Sequence, residues 1–175
     1  MNIRLSKNDD TPALFDLYKM AASDPAGLIR APQEVDSAYI SEIITCNTKG
    51  GISLVAQNIE EIILGEIHAS RYPIQALRHN LVGLTIAIHP NSQGLGIGRR
   101  LFTTFLDLVK SDYPHILRVE LFTRNDNDRT LRFYKSLGFV DEGVQKNKII
   151  DATGALRTPV HMAWFNPQFN INEPL

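Results

Sequence analysis

Cysteine is nearly missing from this chain: Cys46 is the only one in 175 residues. A single thiol cannot close an intrachain disulfide, so packing must hold the fold, and a reducing compartment, the cytoplasm, fits best. The five histidines are scattered, with no pair at metal-ligand spacing, so no metal site is expected. Net charge is lacking as well, because 18 basic and 19 acidic residues leave -1. That balance is a poor footprint for a nucleic-acid partner, which calls for a basic face. No apolar run approaches the roughly 20 residues of a membrane span, and the opening MNIRLSKNDDTP carries no apolar signal core. No internal repeat, low-complexity segment or serine–histidine–carboxylate set stands out. The expectation is a soluble protein with neither nucleic acid nor membrane as partner.

What is present is an ordinary globular composition, 43% hydrophobic, sufficient for one core. The whole chain, 1–175, reads as one domain, with 166–175 a loosely held tail. NIRLS alternates like a strand. NDDTPALFDLYKMAAS reads as a helix with Leu14, Leu17 and Tyr18 on its apolar face. A loop from Asp24 to Pro32, carrying Pro25 and Gly27, leads to a second helix in QEVDSAYISEIITCNT, with Val35, Tyr39, Ile43 and Ile44 on one side. ISLVAQ and IILGEIHASRY form a hairpin, and LVGLTIAIH a further strand. A helix follows with Leu101, Phe105, Leu108 and Val109, then the strand ILRVELFTR. A last helix carries Leu131, Phe133, Tyr134 and Leu137 and stops at Gly138. KNKIID, the turn ATG and TPVHMAWF read as a closing hairpin. The order predicts an α/β (α+β mixed) domain, a mixed central sheet flanked by helices.

The informative stretch is IAIHPNSQGLGIGRRLF, Ile86 to Phe102. Bare backbone at a helix start suits an anion, because amides and the positive helix end converge there. A P-loop needs lysine and a hydroxyl residue after its last glycine, and here Gly98 precedes Arg99 and Arg100. The dinucleotide fingerprint needs glycines at first, third and sixth positions, whereas Gly94, Gly96 and Gly98 fall at first, third and fifth.

HPNSQGLGIGRRLF closely resembles the acyl-CoA loop of the GNAT superfamily of N-acetyltransferases. Gln93, Gly96 and Gly98 match its glutamine or arginine, its glycine and its glycine or alanine. About thirty residues later NDRTLRFYKSLGF resembles the second signature of that superfamily, with Asn127, Tyr134 and Leu137-Gly138-Phe139 in register. The resemblance covers nearly the whole chain and implies a GNAT-like fold with splayed fourth and fifth strands. It implies acetyl-CoA as the acyl donor. The pyrophosphate would lie on the amides of Gln93, Gly94, Leu95, Gly96, Ile97 and Gly98, with charge from Arg99. The pantetheine arm would pair with the backbone of Ile86, Ala87 and Ile88, and Asn127 would cap a helix or touch the arm. Tyr134 takes the general-acid position.

The general base is open. Well-known members carry a glutamate near the start of the fourth strand, where this chain has Asn80, Leu81, Val82, Gly83 and Leu84. Glu66 and Glu120 are the nearby carboxylates, each a charge inside an apolar strand. His68 alternates in step with Glu66, and Arg30 lies in an exposed-looking loop. The implied reaction is direct attack of an amine on the thioester carbonyl in a ternary complex. The acceptor is a small-molecule amine or a peptide N-terminus. A non-catalytic acyl-CoA-binding module and a longer acyl-CoA donor remain alternatives, and the superfamily allows a homodimer.

Overall fold

The computed structural model describes residues 1–24, 27–151 and 153–173; Pro25 of the predicted first loop, Ala152 of the ATG turn and the last two residues of the predicted tail lie outside the described residues. Strands β1 (Asn2–Leu5), β2 (Ile52–Gln57), β3 (Ile63–Arg71), β4 (Asn80–Ile88), β5 (Arg118–Arg124), β6 (Val140–Val144) and β9 (Pro159–Phe165) form a mixed sheet ordered β1-β2-β3-β4-β5-β9-β6. Strands β7 (Ile149–Ile150) and β8 (Leu156–Arg157) make a separate two-stranded ribbon. Helices are α1 (Thr11–Ser23), α2 (Ser37–Thr45), α3 (Ile97–Asp112) and α4 (Asp128–Ser136). The chain divides into two compact units, residues 1–70 with 85–107 and residues 71–84 with 108–175.

In the first unit, β1 pairs antiparallel with β2, and β2 with β3, Val55 standing opposite Glu66. Pro12 sits in the first turn of α1, where its missing N–H costs nothing. Asp36 caps α2 by accepting from Tyr39 N–H at 2.8 Å. The sequence pattern placed Val35 on the helix face. It lies outside the helix yet is buried, in the position from which an apolar residue staples the first turn to Ile40. Leu14, Leu17 and Tyr18 of α1 and Ile40, Ile43 and Ile44 of α2 bury against Val55, Ile63 and Ala87 of the sheet. On α3 the buried face is Leu101, Phe102, Phe105, Leu106 and Val109; Leu108, predicted with them, is only partly covered.

In the second unit, β5 runs parallel to the start of β4 and antiparallel to β9. The β4–β5 ladder holds Asn80↔Arg118 and Leu81↔Val119, so the two strands pair only at their beginnings among the described residues. Strand β6, which the alternation did not reveal because every residue in it is exposed, pairs with β9. The predicted closing hairpin is therefore divided: β7 and β8 form the small ribbon, and the long apolar segment enters the main sheet between β5 and β6. The segment predicted as a loose tail is anchored at its start. Buried Asn166 donates to Ile116 O at 3.0 Å, its own N–H to Leu117 O at 2.8 Å, and Asn170 N–H to Pro114 O at 2.8 Å.

Candidate active site

After His89 the chain makes a tight turn, Pro90–Ser92, held by Ser92 N–H to His89 O at 2.8 Å and Asn91 N–H to His89 Nδ1 at 3.2 Å. Gln93 is extended, and Gly94 and Gly96 then both adopt φ of +77°. These are conformations an L side chain resists, which is why glycine stands at both. A Cβ at either would meet nothing within 4 Å. Gln93, Gly94, Leu95 and Gly96 are exposed, while Ile97 turns inward and is buried. The result is an open cradle of backbone at the N-terminus of α3, where helical hydrogen bonding starts with Arg100 N–H to Gly96 O at 3.1 Å. Such a cradle fits a pyrophosphate: it is open, rich in amides and at the positive end of a long helix. Arg99 and Arg100 are exposed beside it.

Gly98 has a different reason. A Cβ there would touch Ile86 Cδ1 and Ile88 Cγ1 at 3.8 Å, an ordinary contact, so it belongs to the packing of α3 on β4. Ile86 and Ile88 thus face the helix, and Ala87 faces the core under α1 and α2. Upstream in β4, Gly83 has φ of +66°, a conformation that favours glycine.

Tyr134 lies on α4, partly buried, its ring 5.6 Å from Phe133 and 5.9 Å from Phe139. Burial pushes its hydroxyl up to about 12, so at neutral pH it is an O–H donor. Asn127 caps the same helix, its Oδ1 accepting from Thr130 N–H at 3.1 Å. The helix stops where Gly138 takes φ of +92° against the Trp164 ring.

The two candidate carboxylates differ. Glu120 is partly exposed and bound to Arg118 Nε at 2.9 Å, and Arg118 also bridges to Glu142. Glu66 has no exposed surface. Its Oε1 accepts from Ser53 Oγ at 2.7 Å; its Oε2 accepts from the Tyr18 hydroxyl and lies 3.0 Å from His68 Nδ1. Burial first, then the charge of Glu66, raises the Tyr18 phenol well above its ordinary value. Burial and the same charge hold Tyr39 up at about 12, against the opposing Arg30 guanidinium stacked 3.9 Å over its ring. Tyr18, Tyr39 and His68 form a ring cluster with centroids 5.4 to 6.4 Å apart. Alternation along β3 puts Glu66 and His68 on one side, whereas helical spacing alone makes Tyr18 and Tyr39 plain core residues. The available signal was the pair of ionisable residues inside an apolar strand, which needs donors from whatever packs above it.

Residues 14–139 match the profile of the Acetyltransferase (GNAT) family. The chain is 24% identical over 141 residues to the L-amino acid N-acyltransferase MnaT of Escherichia coli strain K12, covering 80% of each protein. It is 40% identical over 62 residues to the N-alpha-acetyltransferase RimI of Mycobacterium tuberculosis, 35% of this chain and 36% of that one. In fold it is similar to a GNAT superfamily phosphinothricin acetyltransferase of Sinorhizobium meliloti, solved in complex with AcCoA. The TM-score is 0.83 at 16% identity, over 99% of this chain and 92% of that one. The profile match takes in the glycine cradle, Asn127, Tyr134 and the closing Leu137-Gly138-Phe139, and the chain belongs to the GNAT family of acetyltransferases.

Proposed function

We propose that this protein transfers an acetyl group from acetyl-CoA to a primary amine of a small molecule or a peptide N-terminus. The observation that carries the reading is the cradle, with Gly94 and Gly96 both at φ +77° and open to solvent ahead of α3. Its amides, from Gln93 to Gly98, take the pyrophosphate, and Arg99 adds charge. The backbone of Ile86, Ala87 and Ile88 takes the pantetheine arm, and one of its amides faces the thioester oxygen as negative charge builds there. The thioester supplies an acyl carbon activated toward nucleophiles. The amine nitrogen bonds to that carbon, the C–S bond breaks, and the electron pair leaves on sulfur. Tyr134 donates the proton the thiolate needs, and its raised value keeps it protonated for that task. The relatives named for amino-acid and N-terminal acyl transfer support an amine acceptor of this kind.

Calorimetric titration tests the donor, with acetyl-CoA and coenzyme A expected to bind in roughly the micromolar range, near -8 kcal/mol, and NAD not at all. Tyr134→Phe should then lower kcat by about 10²–10⁴ with donor affinity unchanged. Absence of acetyl-CoA binding overturns the proposal. Binding without turnover of any amine leaves an acyl-CoA-binding module instead.

A further inference from the structure

We propose that His68 is the group that takes the proton from the attacking amine, and that Glu66 acts behind it as a positioning residue. This inference rests on the acetyltransferase reading above, and it answers the missing carboxylate at Asn80–Leu84. The proton on Tyr18 decides the tautomer of His68. The Tyr18 phenol is held protonated, and its single O–H donates to Glu66 Oε2. The Tyr18 oxygen can then only accept from His68 Nδ1, which lies 3.1 Å away. The carboxylate 3.0 Å from the same nitrogen is also an acceptor. Both contacts require Nδ1–H, so the neutral imidazole carries its proton on Nδ1 and a bare lone pair on Nε2. Among the described residues no hydrogen bond reaches Nε2, and that atom is not sealed from solvent.

Access and support agree with this assignment. Tyr18, Ser53 and Glu66 have no exposed surface, whereas His68 keeps 8% and Tyr39 is partly exposed, so the network opens at the imidazole and at the Tyr39 ring beside it. Glu66 itself cannot reach an amine, because it has no exposed surface and lies sealed among Ser53, Tyr18 and His68. It can stabilise the imidazolium that forms and fix the ring, as a carboxylate behind a histidine base does. The strand that carries the pair runs beside the proposed path of the pantetheine arm: His89 N–H donates to Leu64 O at 2.9 Å, and a Cβ on Gly65 would lie 3.0 Å from Ala87 O. In the step itself, the N–C bond forms as the C–S bond breaks. The amine proton goes to His68 Nε2 and later to solvent, and the thiolate is protonated separately. The charged or titratable groups around the imidazole are Tyr18 from α1, Tyr39 from α2 with Arg30 stacked on it, and Glu66 from β3; buried Cys46 also feels the Glu66 charge.

The test is steady-state kinetics of the full chain on an amine it acetylates, with donor affinity and thermal midpoint measured alongside. His68→Asn keeps an N–H donor for Glu66 and removes the Nε2 lone pair; His68→Ala opens a space for imidazole. We expect kcat to fall about 10²–10⁴ in both, donor affinity to hold, the acid limb of the kcat profile to vanish, and added imidazole to restore part of the rate in His68→Ala. Glu66→Gln should lower kcat about 10–100-fold while the KM for the donor holds, because the ring loses the partner that fixes its orientation. Wild-type kcat in His68→Asn overturns the proposal, as does a loss of rate with the acid limb intact and no rescue by imidazole. A wild-type protein that binds acetyl-CoA yet acetylates no amine overturns the transferase reading and this proposal together; an active wild type with an indifferent His68 overturns only this one.

Discussion

Gly96→Ala should cost the protein about 1–2 kcal/mol, the penalty for an L side chain in the left-handed region, divided between fold and donor affinity. The magnitude is unusually free of other contributions. The backbone is at φ +77°, and the new methyl would meet no atom within 4 Å, so crowding adds nothing in the free protein. Two outcomes share the same total. If the loop keeps its shape, the thermal midpoint falls by about 2–8 °C, at about 2–4 °C per kcal/mol for a chain of this size. If the loop relaxes to negative φ, the midpoint holds, the amides lose alignment, and acetyl-CoA binds about 5–30-fold more weakly. Gly98→Ala is the control. That residue is helical, its Cβ would make only 3.8 Å contacts with Ile86 and Ile88, and alanine in a helix gains up to about 1 kcal/mol over glycine. Thermal unfolding with and without acetyl-CoA, together with calorimetry, gives both quantities. A Gly96→Ala protein with unchanged midpoint and unchanged affinity refutes the strain argument, and so does a Gly98→Ala protein that is the more damaged of the two.

Asn127 separates a cap from a ligand contact: Asn127→Ala should lose about 1 kcal/mol of stability, while Asn127→Asp keeps the acceptor for Thr130 N–H and the thermal midpoint. A raised KM for the donor in both variants places the carboxamide on the donor, and an unchanged KM in both leaves it a cap alone. Asp10 makes an acid-sensitive clamp, accepting from Arg4 Nη1 and Nη2 at 2.8 and 2.7 Å and from Lys7 N–H at 2.8 Å. Burial works to raise its carboxyl, but the Arg4 and Lys7 bonds outweigh that and lower it below 3.8. The folded value lies under the unfolded one, so the stabilisation is complete above about pH 4 and is lost as pH falls through the folded value. Asp10→Asn should therefore lose about 1–3 kcal/mol at neutral pH, with the difference from wild type closing in acid; a difference that grows as pH falls refutes it.

The parts of this molecule legible in its sequence are those whose cause is local. Two glycines one residue apart and a helix start lie within a few positions, so the cradle and its φ requirement could be read directly. The start of α2 was harder, because Val35 and Tyr39 have helix-face spacing whether Val35 is inside the helix or stapled outside it. Strand β6 was illegible for a further reason: VDEGV is exposed throughout, and only the far edge of β9 makes it a strand. The buried carboxylate lies between these cases. Alternation along β3 places Glu66 and His68 on one face, but what seals them comes from Ser53 and Tyr18, 13 and 48 positions away from Glu66. At helical spacing Tyr18 is indistinguishable from a phenylalanine until the carboxylate beneath it is known. A buried anion must be met by donors or it would not remain an anion, so the hydroxyl on α1 follows from the glutamate on β3. The demand could be read in the strand; which residue answers it is settled only by the packing of the helix above.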